Sequence, residues 1–184
     1  MSEEEVADVK LATVLTGETN PRGIPFVVFI ENVENFLRAD EKLTVESLIG
    51  ALNELHQKLK HLEGNKMRTK VSMKAKIPEI TRTLELVKFL RKNEDVTTHY
   101  SLSEMLYAKA RVSADGSVYL WLGANVMVEY PYDEAVDILE LSLNNAKERL
   151  RVCDEDLDHL RDQIITVEVN MARVFNYNVK RRRK

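Results

Sequence analysis

Apolar residues recur at alternating spacings of three and four through the C-terminal part of the chain, between residues 136 and 174. This period is typical of a coiled-coil helix, whose narrow apolar stripe must be buried against a partner. The pattern predicts a long helix over residues 132–179. The stripe consists of Val136, Leu139, Leu143, Ala146, Leu150, Cys153, Leu157, Leu160, Ile164, Val167, Met171 and Val174.

A second series with the same spacing lies in the N-terminal half and predicts another helix, over residues 44–97. Its rhythm slips between Met73 and Ile77, where a step of four replaces a step of three. Pro78 follows at once, and we expect a kink there because proline removes a helix hydrogen bond. The series consists of Leu48, Leu52, Leu55, Leu59, Leu62, Met73, Ile77, Ile80, Leu84 and Val87.

The two predicted helices have similar lengths and opposite charges, which predicts that they pair in an antiparallel hairpin. Residues 44–93 contain 11 Lys or Arg and 5 Asp or Glu, whereas residues 133–179 contain 5 and 11. Such charges beside an apolar seam select the partner in a coiled coil. Two merely solvated faces would explain the charge density but not the opposite signs. We assign the intrachain seam to Leu52, Leu55, Leu59, Leu62, Ile80, Leu84, Leu139, Leu143, Leu150, Leu157, Leu160 and Ile164.

Between the helices, in residues 98–131, the apolar period changes to two, which is typical of β-strands. Strands are predicted over residues 106–112, 118–122 and 126–130, with a further strand over residues 101–105. The Asp115-Gly116 pair favours a tight hairpin turn between the first two. The predicted fold class is therefore α+β and mainly α, with two small β-hairpins between the helices of a long antiparallel coiled-coil hairpin.

A sheet of two to four short strands buries too little apolar surface to be stable alone. These strands are apolar on both faces, so we expect part of this surface to bind other subunits. The residues assigned to oligomerisation are Tyr107, Val118, Leu120, Trp121, Leu122, Val126 and Val128.

Composition narrows the classes of function. Only 7% of the residues are aromatic and 31% are charged, so a thick globular core is not expected. Residues 1–20 are predicted to form a disordered acidic N-terminus without the features of a secretory signal, and no apolar run suits a membrane span. The single cysteine, Cys153, falls on the seam and agrees with a reducing compartment, which favours the cytoplasm.

Residues with chemistry of their own are few. The four histidines lack metal-ligand spacing and there is no phosphate-binding glycine loop, so we predict no catalytic, cofactor or metal site and no enzyme. The basic tail, residues 180–184, is a candidate nuclear import signal. The alternative is a flexible, soluble tip, and with a net charge of −3 we expect no nucleic-acid partner.

Three stretches together resemble the α-type subunits of the prefoldin family. The first is VYLWLGANVMVEY at residues 118–130, which leads into Asp133-Glu134-Ala135. The second is Arg22-Gly23-Ile24-Pro25, followed by FIENV at residues 29–33. The third is EVNMARVFNY at residues 168–177. The resemblance covers the chain from about Arg22 onward.

This resemblance implies an ATP-independent co-chaperone. Prefoldin is a hexamer of two α-type and four β-type subunits that holds nascent or unfolded proteins such as actin and tubulin and transfers them to the cytosolic chaperonin. The implied partners are therefore one further α-type subunit, four β-type subunits, the chaperonin and these clients. Two alternatives remain open, a coiled-coil scaffold and an adaptor, for instance of a ubiquitin ligase.

An antiparallel hairpin would bring both ends of the chain to the tip of the coiled coil, with residues 21–43 near it. Apolar residues that are hard to bury there predict a surface that holds non-native clients. The alternative is that residues 24–37 form a short helix or extended segment that caps its own coiled coil. The residues assigned to client binding are Ile24, Phe26, Phe29, Phe36, Met171, Val174, Phe175 and Tyr177.

Overall fold

The fold was determined as a computed structural model that describes residues 13–39, 43–92, 95–113 and 115–183. Two compact units are present. Unit 1 consists of the described residues up to Lys70 together with those from Val152 onward, and unit 2 consists of Val71–Arg151. Residues 1–12 of the predicted disordered N-terminus lie outside the described residues, whereas part of the remainder forms a strand.

Three helices are present among the described residues: α1 (Val33–Arg38), α2 (Val45–Lys92) and α3 (Tyr132–Arg182). Asn32 caps α1, because its side chain accepts hydrogen bonds from the backbone N–H groups of Glu34 and Asn35. The predicted first helix was too long at its C-terminal end, since β-branched residues from Val96 onward belong to a strand. Helix α2 is not interrupted at Pro78.

In the described part of the chain, six strands form three two-stranded antiparallel ribbons: β1 (Leu15–Thr19) with β2 (Pro25–Val27), β3 (Asp95–Ser103) with β4 (Leu106–Ser113), and β5 (Ser117–Gly123) with β6 (Val126–Pro131). The predicted fold class, long helices with two small β-hairpins between them, is confirmed. The β1–β2 ribbon was not predicted.

The pairing of the central strands differs from the prediction. Asp115-Gly116 does not close a hairpin, because β4 pairs with β3 and β5 pairs with β6. β3 is longer than the strand predicted over residues 101–105. It pairs with β4 along its length, beginning with Asp95 opposite Ser113. Gly116 has a φ of 82° and its carbonyl accepts a hydrogen bond from the Tyr132 N–H, so this turn contacts the start of α3 instead.

The core of unit 1 joins the two long helices to the N-terminal residues. Leu48, Leu52 and Leu59 of α2 are almost fully buried with Leu160 and Val167 of α3. Leu62 is 38% exposed and lies outside this core, contrary to its assignment to the seam. From Leu62 to Lys70, the least exposed side chains of α2 are polar, such as that of Lys66.

Unit 2 has a smaller core, in which Leu84 and Val87 of α2 pack with Leu120 of β5 and with Ala135 and Val136 of α3. The predicted seam residues Leu139 and Leu143 are partly buried against this cluster. Ile80 and Leu150 are also only half-buried.

Ion pairs between the long helices follow the predicted charge pattern within each unit. In unit 1, Lys66 contacts Asp156 at 2.7 Å and Lys70 contacts Asp154 at 2.6 Å. In unit 2, Arg91 contacts Asp133 at 2.9 Å. In each pair the cation lies on α2 and the carboxylate on α3, as the opposite net charges of the two helices predicted. From Lys66 to Lys70 the residue number rises along α2, while that of the paired carboxylate falls from Asp156 to Asp154 along α3. The two helices are therefore antiparallel within unit 1.

Candidate functional site: a covered helix face and two exposed ribbons

In unit 1, residues 20–31 lie along one face of α3. Three buried polar residues of α3 hold this N-terminal segment: Asp156, Gln163 and Asn170. They are seven residues apart, so they share one face of the helix. Charged and polar residues are rarely buried unless they are paired. We call these three residues the polar row, and their partners along the segment account for their burial.

Asp156 anchors the beginning of the segment. Its carboxylate is fully buried and accepts hydrogen bonds from the Arg22 guanidinium, from Lys66 Nζ at 2.7 Å and from Asn20 Nδ2 at 3.3 Å. Arg22 also reaches Glu155 at 3.1 Å. Burial by itself raises the pKa of Asp156, but the hydrogen bonds from Lys66 and Arg22 outweigh it and hold the pKa below its ordinary value of 3.8. The carboxylate is therefore ionised at neutral pH.

The two amide side chains of the polar row bind backbone groups of the segment. Gln163 Oε1 accepts a hydrogen bond from the Val27 N–H at 2.8 Å. Asn170 accepts one from the Ile30 N–H at 2.9 Å and donates one to the Val28 carbonyl at 2.7 Å. These contacts fix the position of the segment along α3 without touching its side chains.

The side chains of the segment divide between the core and the surface. Ile24, Val27 and Ile30, at a spacing of three, are buried in the core of unit 1. Phe26 and Phe29 face outward and each contacts a residue of α3. The Phe26 ring lies edge-on to His159, with 4.6 Å between ring centroids, and the Arg173 guanidinium carbon lies 4.7 Å from the Phe29 centroid.

The residues assigned to client binding are therefore not one exposed set. Ile24 and Val174 are buried in the core, which corrects their assignment to an accessible surface, because the segment covers the helices there. Phe36, Met171 and Tyr177 are partly buried against the same core. The alternative interpretation, in which the segment caps its own coiled coil, describes these residues better.

Large apolar side chains nevertheless remain exposed on unit 1. Phe26 is 37% exposed, Phe29 48% and Phe175 63%. Two residues of α3 that the sequence analysis had not assigned, Ile165 and Val169, are also exposed. They are four residues apart and so lie on the same side of α3. Several apolar groups of unit 1 are thus accessible to another molecule.

In unit 2, the β5–β6 ribbon has one face toward the helices and one face exposed. Leu120 is buried in the core of unit 2, and Val118 packs partly against it. This corrects their assignment to a subunit interface, since alternate residues of a strand point to opposite faces. Trp121 is 59% exposed and lies opposite Met127, which is 55% exposed.

The remaining residues assigned to oligomerisation are more accessible. Tyr107, Leu122 and Val126 are exposed, and Val128 is half-buried. The β3–β4 ribbon adds Tyr100 and Leu102 to the exposed apolar surface. Ribbons with this much exposed apolar surface are typical of strands that pair or pack with another chain.

The polar row was not predicted from the sequence, because the burial pattern was taken from apolar positions and the charged residues were used only for the net charge of each helix. A signal was present, because Asp156, Gln163 and Asn170 share one heptad position beside the seam. The matching signal in the segment was the spacing of three between Ile24, Val27 and Ile30.

Two further findings bear on the kind of site. Within the part of the chain that the structure describes, His, Cys, Asp and Glu side chains form no group of three or more suited to hold a metal ion. None of the described helices has the length and apolarity needed to cross a membrane.

Long helices paired within each unit, together with β-ribbons that expose large apolar side chains, are typical of a protein that binds other chains. The prefoldin family model, described as Prefoldin subunit, matches residues 55–177. The chain belongs to the prefoldin family.

Relatives named prefoldin subunit 3 are similar over most of their lengths. Those of Elsinoe fawcettii and Homo sapiens are 47% and 46% identical to the chain, over 90% and 88% of it and 85% and 84% of their own lengths. That of Saccharomyces cerevisiae is 38% identical, over 90% of this chain and 88% of its own. The chain is thus a prefoldin co-chaperone subunit, and such subunits are not enzymes.

A solved structure supports the fold. The cryo-EM structure of filamentous PFD from Methanocaldococcus jannaschii covers 64% of this chain and 98% of its own, with a TM-score of 0.52 and 18% sequence identity. Assembly with other prefoldin subunits is supported by the family.

Proposed function

We propose that the chain works in a hexamer of two α-type and four β-type prefoldin subunits, which captures nascent or unfolded proteins such as actin and tubulin. Capture requires no ATP, and the client passes to the cytosolic chaperonin. The complex acts in the cytoplasm, and the basic tail at residues 180–184 is the candidate signal for nuclear entry.

The observation that carries this proposal is the exposed apolar surface of unit 1. Phe26, Phe29, Ile165, Val169 and Phe175 are accessible although a core is available in the same unit. Exposed apolar patches on a chain with paired helices mark interaction surfaces. An unfolded client exposes apolar side chains of its own, so contact between the two removes both from water.

The affinity for a client depends on how many subunits contact it at once. Burying one large apolar side chain contributes about 1.5–3 kcal/mol, which corresponds to weak binding by itself. When several subunits contact one client, the second and later contacts are intramolecular and the overall affinity rises by orders of magnitude. Each contact can then open separately, so the client can be handed over without an energy source.

The test is capture of chemically unfolded actin by the assembled hexamer. We expect Val169→Ser with Phe175→Ser to weaken capture about tenfold or more, because both apolar contacts are lost. Native mass spectrometry should show an unchanged hexamer mass. Tyr177 is left intact, because it is partly buried against the core of unit 1.

The matched control is Asn144→Ser with Asn176→Ser, which changes two exposed polar residues of the same helix. It should leave both capture and hexamer mass unaltered. Capture by the Val169/Phe175 variant at the level of the wild type would refute the proposed surface. Loss of the hexamer would instead assign these residues to assembly.

A further inference from the structure

We propose that the face of α3 covered by residues 20–31 is an exchangeable binding site for extended polypeptide segments, and that residues 20–31 are its resident occupant. The inference rests on the proposed function and names the kind of client segment that unit 1 accepts. It makes the N-terminal segment a built-in competitor for that face.

The first support is the way in which α3 holds the segment. Gln163 and Asn170 bind the backbone groups of Val27, Val28 and Ile30, which every polypeptide offers. An amide side chain that donates and accepts recognises an extended chain independently of its sequence. The face therefore has the chemistry to hold segments other than its own.

The second support is the pattern of side chains that the face selects. Ile24, Val27 and Ile30 enter the core at a spacing of three, and Arg22 reaches Asp156 and Glu155 two residues before the first of them. The occupant is thus a segment with a basic residue followed by apolar residues at intervals of three. Such segments are buried in folded proteins and become available when a client is unfolded.

The third support is that the polar row can make hydrogen bonds in two states, one in which the segment covers the face of α3 and one in which the segment has left it. Asp156, Gln163 and Asn170 are satisfied by the segment when it is bound, and water can satisfy them when it leaves. Opening uncovers Ile24, Val27 and Ile30 as well, but a competing segment with the same spacing covers the apolar surface again, while the polar row keeps partners throughout. Both states therefore have their hydrogen bonds made, which favours exchange.

The resident segment is covalently attached, so a competing segment meets a high effective concentration of it. Weakening the resident segment should then increase binding of an external one, because more of the face is open. Arg22→Ala does this while leaving every residue of α3 unchanged. An external peptide brings its own copy of Arg22.

The probe is a synthetic peptide of residues 20–31 in which a photoreactive benzophenone replaces the Phe29 ring. It is added to the hexamer assembled with the full chain, and labelled sites are located by mass spectrometry. We expect labels on α3 near Arg173, and about tenfold more with Arg22→Ala than with the wild type, since a hydrogen bond to a charged group contributes that factor. Arg38→Ala, which breaks the exposed pair with Glu34, is the matched control and should label like the wild type.

A second variant keeps the segment in place. Glu31→Cys and Arg173→Cys, in a Cys153→Ser background, put thiols at two exposed residues that contact each other, since Arg173 Nη1 lies 3.0 Å from the Glu31 carbonyl. Linking them with a short bismaleimide should abolish peptide labelling relative to the unlinked protein. Thiols at Thr97 and Arg111, opposite each other in the β3–β4 ribbon, provide a linked control that should still label.

Equal labelling of wild type and Arg22→Ala, equal labelling of linked and unlinked protein, or labels away from α3 would each overturn the exchange. A scrambled peptide without the spacing of three should not label α3, and its labelling at the same level would overturn the selectivity. The actin assay above tests the proposed function independently. If actin is not captured but the peptide exchanges, the proposed function fails and the exchange does not.

Discussion

At the scale of single residues, Asp156 has the most demanding environment. A fully buried carboxylate is costly unless it is paired and hydrogen-bonded. Lys66 of α2 and Arg22 of the N-terminal segment both contact it, so one side chain joins three parts of unit 1. Its loss would leave two cations without their shared partner.

We predict that Asp156→Ala lowers the opening free energy of residues 20–31 by about 2 kcal/mol or more, because breaking a buried charged contact leaves its partners unsatisfied. Hydrogen exchange of the backbone amides of Val27 and Ile30 in the assembled hexamer measures this. Glu148→Ala, which removes an exposed carboxylate paired with Arg151, should change the same opening free energy by no more than a few tenths of a kcal/mol. Similar effects of the two variants would contradict the anchoring role of Asp156.

The same residue predicts a dependence on pH. Because the pKa of Asp156 is lower in the folded chain than its ordinary value of 3.8, the unfolded chain binds the proton more readily. The stabilisation is complete above about pH 4 and is lost as the pH falls through the folded pKa. Protection of residues 20–31, corrected for the intrinsic exchange rate, should therefore fall on acidification below about pH 4. In Asp156→Asn this acid-dependent loss should be smaller.

At the scale of elements, the turn between β5 and β6 is under local strain. Ala124 and Asn125 have φ values of 47° and 63°. Positive φ at both central residues is the geometry of hairpin turns that match the twist of the strands. Asparagine tolerates this region, whereas alanine does so at a cost.

Two replacements of Ala124 should therefore have opposite effects on the stability of the ribbon. We predict that Ala124→Asn raises the stability of the ribbon by about 0.5 kcal/mol and that Ala124→Val lowers it by about 1 kcal/mol or more. Thermal unfolding of the assembled hexamer at fixed protein concentration compares the two variants with the wild type. A stabilising Val or a destabilising Asn would show that the turn does not have this geometry in solution.

The elements also show what the sequence can predict. Both long helices and the strands β4, β5 and β6 were evident, because each has several residues with one period, whereas β3 was predicted over residues 101–105 and lies at Asp95–Ser103. The pairing of the strands was not evident, since the sequence Asp115-Gly116 is typical of a hairpin turn. The length of β3, which pairs with β4 instead, could not be recognised from the pattern. The β1–β2 ribbon has five and three residues, too few for a period to be recognised. The covered face of α3 depends on contacts between distant residues that no local pattern reveals.

At the scale of the whole molecule, the two faces of the β5–β6 ribbon have different roles. Leu120 packs on the helices of unit 2, whereas Trp121 and Met127 are exposed on the other face. An exposed tryptophan on a small ribbon is a strong candidate for an interface anchor, since burying it removes a large apolar area from water.

We predict that Trp121→Ser prevents assembly with partner subunits while the helical content of the chain, measured by circular dichroism, stays the same. Leu120→Asp should instead lower helical content, because it puts a charge into the core of unit 2. Native mass spectrometry of each variant mixed with its partners gives the assembly readout. An intact hexamer with Trp121→Ser would exclude this ribbon face from the interface.

The contacts of the polar row set an order of events during synthesis. Val27 and Gln163 are separated by 136 residues, so the ribosome must add all of them before the bond can form. At about 5–20 residues per second, roughly 7–27 s pass before α3 can cover Ile24, Val27 and Ile30. A subunit of a protein-holding complex is thus, for that interval, a nascent chain with an unburied apolar segment of its own.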